Sequence, residues 1–422
     1  MNDIKFEKTN GGLGRQTGSE DVISGLIFAG MGFTFGDADV NLKGFDTAAV
    51  DDQNNASAFA RKFIYPEQLK DAGIVFTKPG DGSESNGTLS NIEIAKNVLY
   101  YHITEFFRMN PEGVLYVMIK ANSATVEVDD IATLQTYAGG NIRQVGVFNS
   151  TLLPIEKSTT GVTGVQEVCK NLENAHRPLS VVLTYNGDNV TLDDLTANNN
   201  NPAADGNCNV SLLIGCDMDA GLAEALGDNY SKYGCIGLCI GAISKANVHE
   251  SIAWVGKFPL GLKAPALFTG NLIRNIATHK LEELNDKRYI FPVIHAGDAD
   301  NYFNDSHTLD VDSSDYAYIE NVRTIDKACR GIRGKLLPWL NSPLRVDPSN
   351  GQLESGMVSF LETTAGEALE EMEKAGEISG YKVEIDPAQN VLATSALEIV
   401  IKKVPVGVMR KVTVKIGYTT SL

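Results

Sequence analysis

The sequence has no apolar run near the roughly 18 residues that a membrane-crossing helix needs, so no helical span is expected. Its opening, Met1-Asn2-Asp3-Ile4-Lys5, has neither a basic stretch nor an apolar run behind it. No secretory leader is read there, and synthesis and assembly are expected in a cytoplasm. Cysteine is scarce: six thiols, Cys169, Cys208, Cys216, Cys235, Cys239 and Cys329, cannot staple 422 residues as a disulfide framework and are expected to be buried and free. Clustered positive charge is missing as well. A net charge of -17 argues against a nucleic-acid partner, because binding a phosphate backbone requires Lys and Arg that displace counterions. The expected partners are proteins.

The motifs of common active sites are missing too. Neither the Walker pattern nor Gly-x-Gly-x-x-Gly occurs; Gly30-Met31-Gly32 runs on as Phe33-Thr34-Phe35 and lacks the third glycine. His249-Glu250 resembles the start of a zinc-protease helix, but Ala253 stands where the second histidine ligand is required. No Gly-x-Ser-x-Gly elbow is present, and the six histidines show no spacing that pairs them with a nucleophile. No catalytic, cofactor-binding or metal-ligating residue is therefore assigned, and no cofactor is expected.

What is present is organised. With 43% hydrophobic and 21% charged residues, the chain has a globular composition and a length that suits two or three domains. Residues 1–15 hold one short alternation, Ile4 and Phe6, and then a glycine-rich joint, Gly11-Gly12-Leu13-Gly14. This reads as a detachable arm: an isolated strand cannot satisfy its own backbone, so it must lie on a sheet of its own chain or of a neighbour.

From about Val22 to Cys239 apolar strands alternate with helical stretches: Val114–Ile119, a helix over Asp129–Tyr137, Val145–Phe148, a helix over Gly164–His176, Leu179–Leu183 and Val210–Ile214. Apolar strands separated by helices imply a sheet covered on both faces, a doubly wound α/β core. The run Gly234–Gly241, which contains Cys235 and Cys239, is so apolar that it reads as one more buried strand. Gly80–Gly87 and Asn198–Asn209 are polar, turn-rich inserts expected at the surface.

The stretch from Gly297 to Asp326 sets Asp298, Asp300, Asp305, Asp310, Asp312, Asp315, Glu320 and Asp326 against a single basic residue, Arg323. It is expected to form a solvated, partner-facing acidic surface. A calcium or magnesium site is the other reading, although Asp310–Asp315 lacks the glycine and terminal glutamate of an EF-hand loop. Ile319, Val322, Ile325, Cys329, Ile332 and Leu336 then line one helix face up to Pro338. A second amphipathic helix over Glu354–Ala375 ends at Gly376. After Gly380 the period changes to two, and strands are expected at Leu397–Ile401 and at Val412–Ile416. From Lys382 onward six basic residues (Lys382, Lys402, Lys403, Arg410, Lys411, Lys415) face three acidic ones (Glu384, Asp386, Glu398), leaving a tail of net +3.

The helix Tyr318–Asp326, the segment Pro338-Trp339-Leu340-Asn341-Ser342-Pro343, the helix closed by Gly376–Tyr381, and the strands interrupted at Val404-Pro405-Val406 follow one another in an order that resembles the phage tail sheath family. The resemblance covers roughly Ala242–Leu422 and the Gly12-Leu13-Gly14 arm. Asn341-Ser342-Pro343 departs from the acidic residue, proline and asparagine that many members have, which indicates a divergent branch.

The resemblance implies an α/β fold with a linking arm over 1–20, the N-terminal part of the core over 21–110 and a variable α/β region over 111–240. A core part with two amphipathic helices would follow over 241–380, and a strand-exchange segment over 381–422. It also implies a non-enzymatic subunit that polymerises around an inner tail tube and contracts to drive that tube through a target envelope. Its partners would be further copies of itself, the tube protein, and baseplate and tail-terminator proteins, with no nucleic acid or membrane, and its place would be the virion tail. The contacts between copies would be made by Ile4, Phe6, Gly12 and Gly14 at one end and by Lys411, Val412, Val414, Lys415 and Ile416 at the other. The acidic stretch and the basic tail would meet across the boundary between copies. Two other readings stay open: a metal-dependent α/β enzyme using residues 298–315, and a non-sheath structural part of a phage or injection device.

Overall fold

Ile23–Phe28 (β1) is apolar at almost every position, and alternate side chains enter different cores: Leu26 and Phe28 on one face, Ile27 on the other. Only a strand central in a sheet and covered on both sides accepts that composition. The computed structural model describes residues 20–31, 42–50, 56–84, 87–120, 126–148, 161–197, 201–227, 231–348, 351–389 and 391–419. Within it β1 joins Asp46–Val50 (β2), Ala56–Phe63 (β3), Val114–Lys120 (β4), Gln144–Val147 (β5), Ser180–Leu183 (β6), Val210–Leu213 (β7) and Tyr289–Ile290 (β8). They form one eight-stranded sheet of order β8-β7-β6-β5-β1-β4-β3-β2.

β1 pairs in parallel with both β4 and β5, and β5 to β8 continue in parallel. β3 and β2 close the other edge antiparallel. The expected doubly wound α/β core is thus present, with an antiparallel edge added.

The principal helices are Asn91–Met109 (α1), Val128–Tyr137 (α2), Val162–Asn174 (α3), Ile236–Lys245 (α4), Ile319–Leu336 (α5) and Ser355–Lys374 (α6). α1 and α4 cover one sheet face, where Leu99, Phe106, Ile236 and Ile240 meet Leu26, Leu115 and Val117. α2 and α3 cover the other, where Ile131, Leu134 and Val165 meet Ile27, Val145 and Val181. Each such side chain contributes about 1.5–3 kcal/mol by leaving water, so the double covering supplies most of the driving force. The sequence reading missed α1, although its start is written in Ser90-x-x-Glu93. Ser90 Oγ accepts from the Glu93 amide at 3.3 Å, and Glu93 Oε2 accepts from the Ser90 amide at 2.8 Å.

The stretch around Cys235 and Cys239 corrects an expectation, since it is the helix α4 and not a strand. Its residues Ile236–Ser244 are all buried, and a helix apolar all round gives no amphipathic period to read. The usable signal is Gly237 and Gly241, four apart, which let α4 lie directly on α1. A Cβ at Gly237 would come within 1.9 Å of the His102 carbonyl oxygen, and one at Gly241 within 2.8 Å of that of Phe106. The expectation of buried cysteines also fails in part: Cys329 is exposed and Cys208 half-buried, because α5 turns Ala328 rather than Cys329 into its core.

α5 and α6 pack side by side at Gly331 and Ala368 and carry a two-stranded ribbon, Ile378–Glu384 (β9) with Val400–Pro405 (β10). Ala328, Leu369, Met372 and Ile378 form the small core beneath it. Gly376, at φ +73°, ends the α6 region in the left-handed conformation glycine tolerates. The strand expected at Leu397–Ile401 forms about three residues later, with Pro405 as its last pair opposite Ile378. Lys411–Ile416, the second expected strand, pairs with no other strand among the described residues. A strand requires a partner edge, and none stands beside this segment among the described residues.

Candidate assembly surface

Glu320 occupies the first turn of α5, where the helix dipole favours a carboxylate, and its side chain is only 2% exposed. Ser306 Oγ donates to its Oε2 at 2.5 Å. Arg410, from the segment after β10, donates through Nη2 to its Oε1 at 2.5 Å and through Nε to Asp305 at 3.0 Å. The guanidinium also lies 3.4 Å from the ring centroid of Tyr318, a cation–π contact. Burial pushes the Glu320 carboxyl up from its ordinary range, and the Arg410 charge opposes that shift. Removing one member of such a pair strands the other, at a cost of roughly 3–5 kcal/mol for a buried carboxylate.

This clamp corrects two expectations. The acidic stretch is not uniformly solvated: Asp298, Asp300, Asp312 and Asp315 are exposed, whereas Asp310, Glu320 and Asp326 are buried. The basic tail meets it within one chain at Arg410, rather than only across a boundary between copies. The cause is local geometry, because β10 delivers its downstream residues along α5 toward the Glu320 end. Asp310 is satisfied internally, accepting from the Gly206 and Val311 amides and from Ser314 Oγ at 2.7–2.9 Å. Among the described residues no group of three or more His, Cys, Asp or Glu side chains could hold a metal ion.

Behind Tyr318 the support is also charged and buried. Arg288 donates from Nε to the Thr308 carbonyl at 2.8 Å and from Nη1 to Asp312 at 2.9 Å. His307 stacks on Tyr318 with 5.8 Å between centroids, and burial lowers its pKa to about 4, so its imidazole is neutral at physiological pH. Arg323, on the buried side of α5, donates to the carbonyls of Ala246 at 3.0 Å and Asn247 at 3.3 Å, where α4 ends. A cation at a helix C-terminus is favourable there and locks α5 onto the core.

A second ionic cluster ties the other end of the chain to α5. Asp21, just before β1, accepts from Arg330 at 2.6 Å and pairs with Lys327 at 3.1 Å, and Lys327 reaches Glu377 before β9 at 2.5 Å. Arg143 Nη2 meets Glu20 at 2.8 Å. α5 therefore anchors the described chain both just ahead of β1, through Asp21, and just beyond β10, through Arg410.

Ile4, Phe6, Gly12 and Gly14 lie outside the described residues. Lys411, Val412, Val414, Lys415 and Ile416 are all exposed; Val412, Val414 and Ile416 are 65%, 77% and 94% exposed. Between Arg410 and the core opens a cavity of about 650 Å³, lined among others by His249, Trp254, Val255, His295 and Met409. The sequence reading missed Arg410 and Trp254 as site residues. Arg410 entered it only as one charge of the basic tail, although Tyr318 and Glu320 stood in the helix that carried the family resemblance.

The chain belongs to the DUF2586 family: the family's N-terminal domain matches residues 83–307 and its C-terminal domain residues 315–422. Among solved structures it is similar to a chain of the anti-feeding prophage (AFP) baseplate, 6-fold symmetrised, with 14% identity and a TM-score of 0.56 over 100% of this chain and 99% of that one. A chain of the AFP helical sheath in its contracted state gives 14% identity and 0.56 over 99% of both chains. A chain of the PVC sheath complex of an extracellular contractile injection system, also contracted, gives 10% and 0.57 over 100% of this chain and 98% of that one. No curated protein matches the sequence. The resemblance drawn from Ala242–Leu422 thus holds, at the level of fold, along the whole chain.

Proposed function

We propose that this chain is the structural subunit of a contractile tail sheath, a non-enzymatic component of a phage tail or phage-like particle. The observation that carries the reading is the Lys411–Ile416 segment. It has the alternation of a strand, follows directly on the clamped Arg410 and pairs with no strand among the described residues, on a fold that matches sheath chains from end to end. In an assembly its backbone adds to the sheet of another copy, as Ile4–Phe6 does at the opposite end, with the Gly11–Gly14 stretch as a joint. Copies tied by backbone rotate and slide against one another without separating. The sheath surrounds an inner tube, is bounded by baseplate and terminator proteins, and contracts by passing between two packings of the same subunit, with no nucleotide consumed.

The test is a deletion of residues 411–422, compared with the full chain by negative-stain microscopy at high concentration. The expected result is a folded, soluble protein that no longer forms hollow cylinders. Cylinders of normal width and yield from the truncated chain would remove the basis of the reading. Deleting residues 1–15 is expected to have the same effect.

A further inference from the structure

We infer that the apolar surface formed by Trp254, Val255 and Met409 at the mouth of the Arg410 cavity is covered by a second copy of this chain. The inference rests on the strand-exchange reading and adds the place where neighbouring bodies touch. These three side chains are 52%, 45% and 81% exposed, and all line the same cavity of about 650 Å³. One face of the Trp254 indole carries Lys257 Nζ, 4.7 Å from the ring centroid, and the residue is still 52% exposed.

The occupant follows from the reach of the tether. Arg410 is held by Asp305, Glu320 and Tyr318, and releasing it would leave the Glu320 carboxylate buried without its cation. The strand-patterned residues begin immediately after it. Two residues of extended chain span at most about 7 Å, so an edge that takes up Val412 stands within about 7 Å of the clamped backbone. Met409 is the residue before Arg410, and Trp254 and Val255 border the same opening as Arg410. A body whose sheet edge comes that close rests on this surface. An apolar patch exposed at such a place is what an interface between copies buries.

The experiment places a benzophenone photo-crosslinking amino acid at position 254 of the full chain and irradiates it under assembly conditions. The expected product runs at twice the 45.5 kDa chain mass and falls at least tenfold when residues 411–422 are deleted. In parallel, Trp254→Glu is expected to raise the concentration needed for cylinder formation at least tenfold, while Trp254→Phe assembles as the parent does. Met409→Glu, at the most exposed of the three positions, serves the same comparison if Trp254→Glu does not fold. Normal assembly of the glutamate variants, or crosslinks only to a different protein such as an added tube protein, overturns the inference. If the deletion abolishes cylinders while the glutamate variants form them, the strand-exchange reading stands and this surface is wrong. If the deletion itself leaves assembly intact, the reading beneath it fails as well.

Discussion

Arg330 reaches Asp21 at 2.6 Å across 309 positions of sequence, so the segment that opens β1 is held to the same helix whose first turn receives Arg410. Glu320 and Arg330 are ten residues apart on α5, about 15 Å along its axis. In the proposed sheath, tension on either exchanged end therefore reaches one rigid rod. Replacing Arg330 by alanine removes the guanidinium from Asp21 while the Lys327 contact stays, and a destabilisation of about 1.5–3 kcal/mol is expected from the lost charged hydrogen bond. Urea denaturation of the variant and the parent measures it; a midpoint unchanged between the two would mean that the contact contributes nothing.

Arg410→Ala removes both carboxylate contacts and the ring contact of the clamp. About 3 kcal/mol of stability is expected to go, toward the low end for breaking a buried pair, because Glu320 can take up a proton once alone. Limited proteolysis checks the structural consequence: cleavage between Val406 and Lys415 is expected to accelerate strongly, while the core stays resistant. Arg410→Lys keeps the charge but not the two-carboxylate fork, and an intermediate rate is expected.

The α/β core was legible because its strands are short apolar runs separated by helices with clear periods: β4, α2, β5, α3, β6 and β7 all stand where the pattern puts them. α4 was not, because a helix buried on every side has no polar face to set the period, and only the Gly237 and Gly241 spacing distinguishes it from a strand. The terminal segment shows a different limit. The alternation of Val412, Val414 and Ile416 is a strand pattern, but no partner edge for it stands among the described residues. The Arg410 clamp could not be read at all from sequence: it joins residues 90 and 105 positions apart, and no local pattern marks such a pairing.

The close crossing of α1 and α4 gives a further prediction. A methyl group at Gly237 would meet the His102 carbonyl at 1.9 Å, and backbone cannot swing aside as a side chain can. Gly237→Ala is expected to cost about 3 kcal/mol or more, at or above the usual upper range for overpacking. Gly334→Ala, in α5 with open space around it, is expected to be neutral or stabilising by up to about 1 kcal/mol. Thermal melts of the two variants separate a steric cause from a general intolerance of glycine replacement.

Asp326 lies buried on α5, facing Arg330 from the same helix, Glu173 from α3, Arg143 ahead of β5 and Lys403 from β10, and burial lifts its pKa from 3.8 to about 7. The folded state therefore holds this proton more tightly than the unfolded chain does. The group's stabilising contribution is complete below about pH 4 and is lost as pH rises toward 7, where the folded state must keep a charged carboxylate away from water. A shift of about three pH units corresponds to roughly 4 kcal/mol at most. Asp326→Asn keeps the shape and removes the charge. Its stability is expected to exceed the parent's by a few kcal/mol at pH 8, to differ little near pH 4, and to vary less between the two. Denaturant midpoints at pH 4, 6 and 8 test this directly: an Asp326→Asn curve parallel to the parent's would mean that Asp326 is ionised and fully compensated by Arg330 and Arg143 throughout.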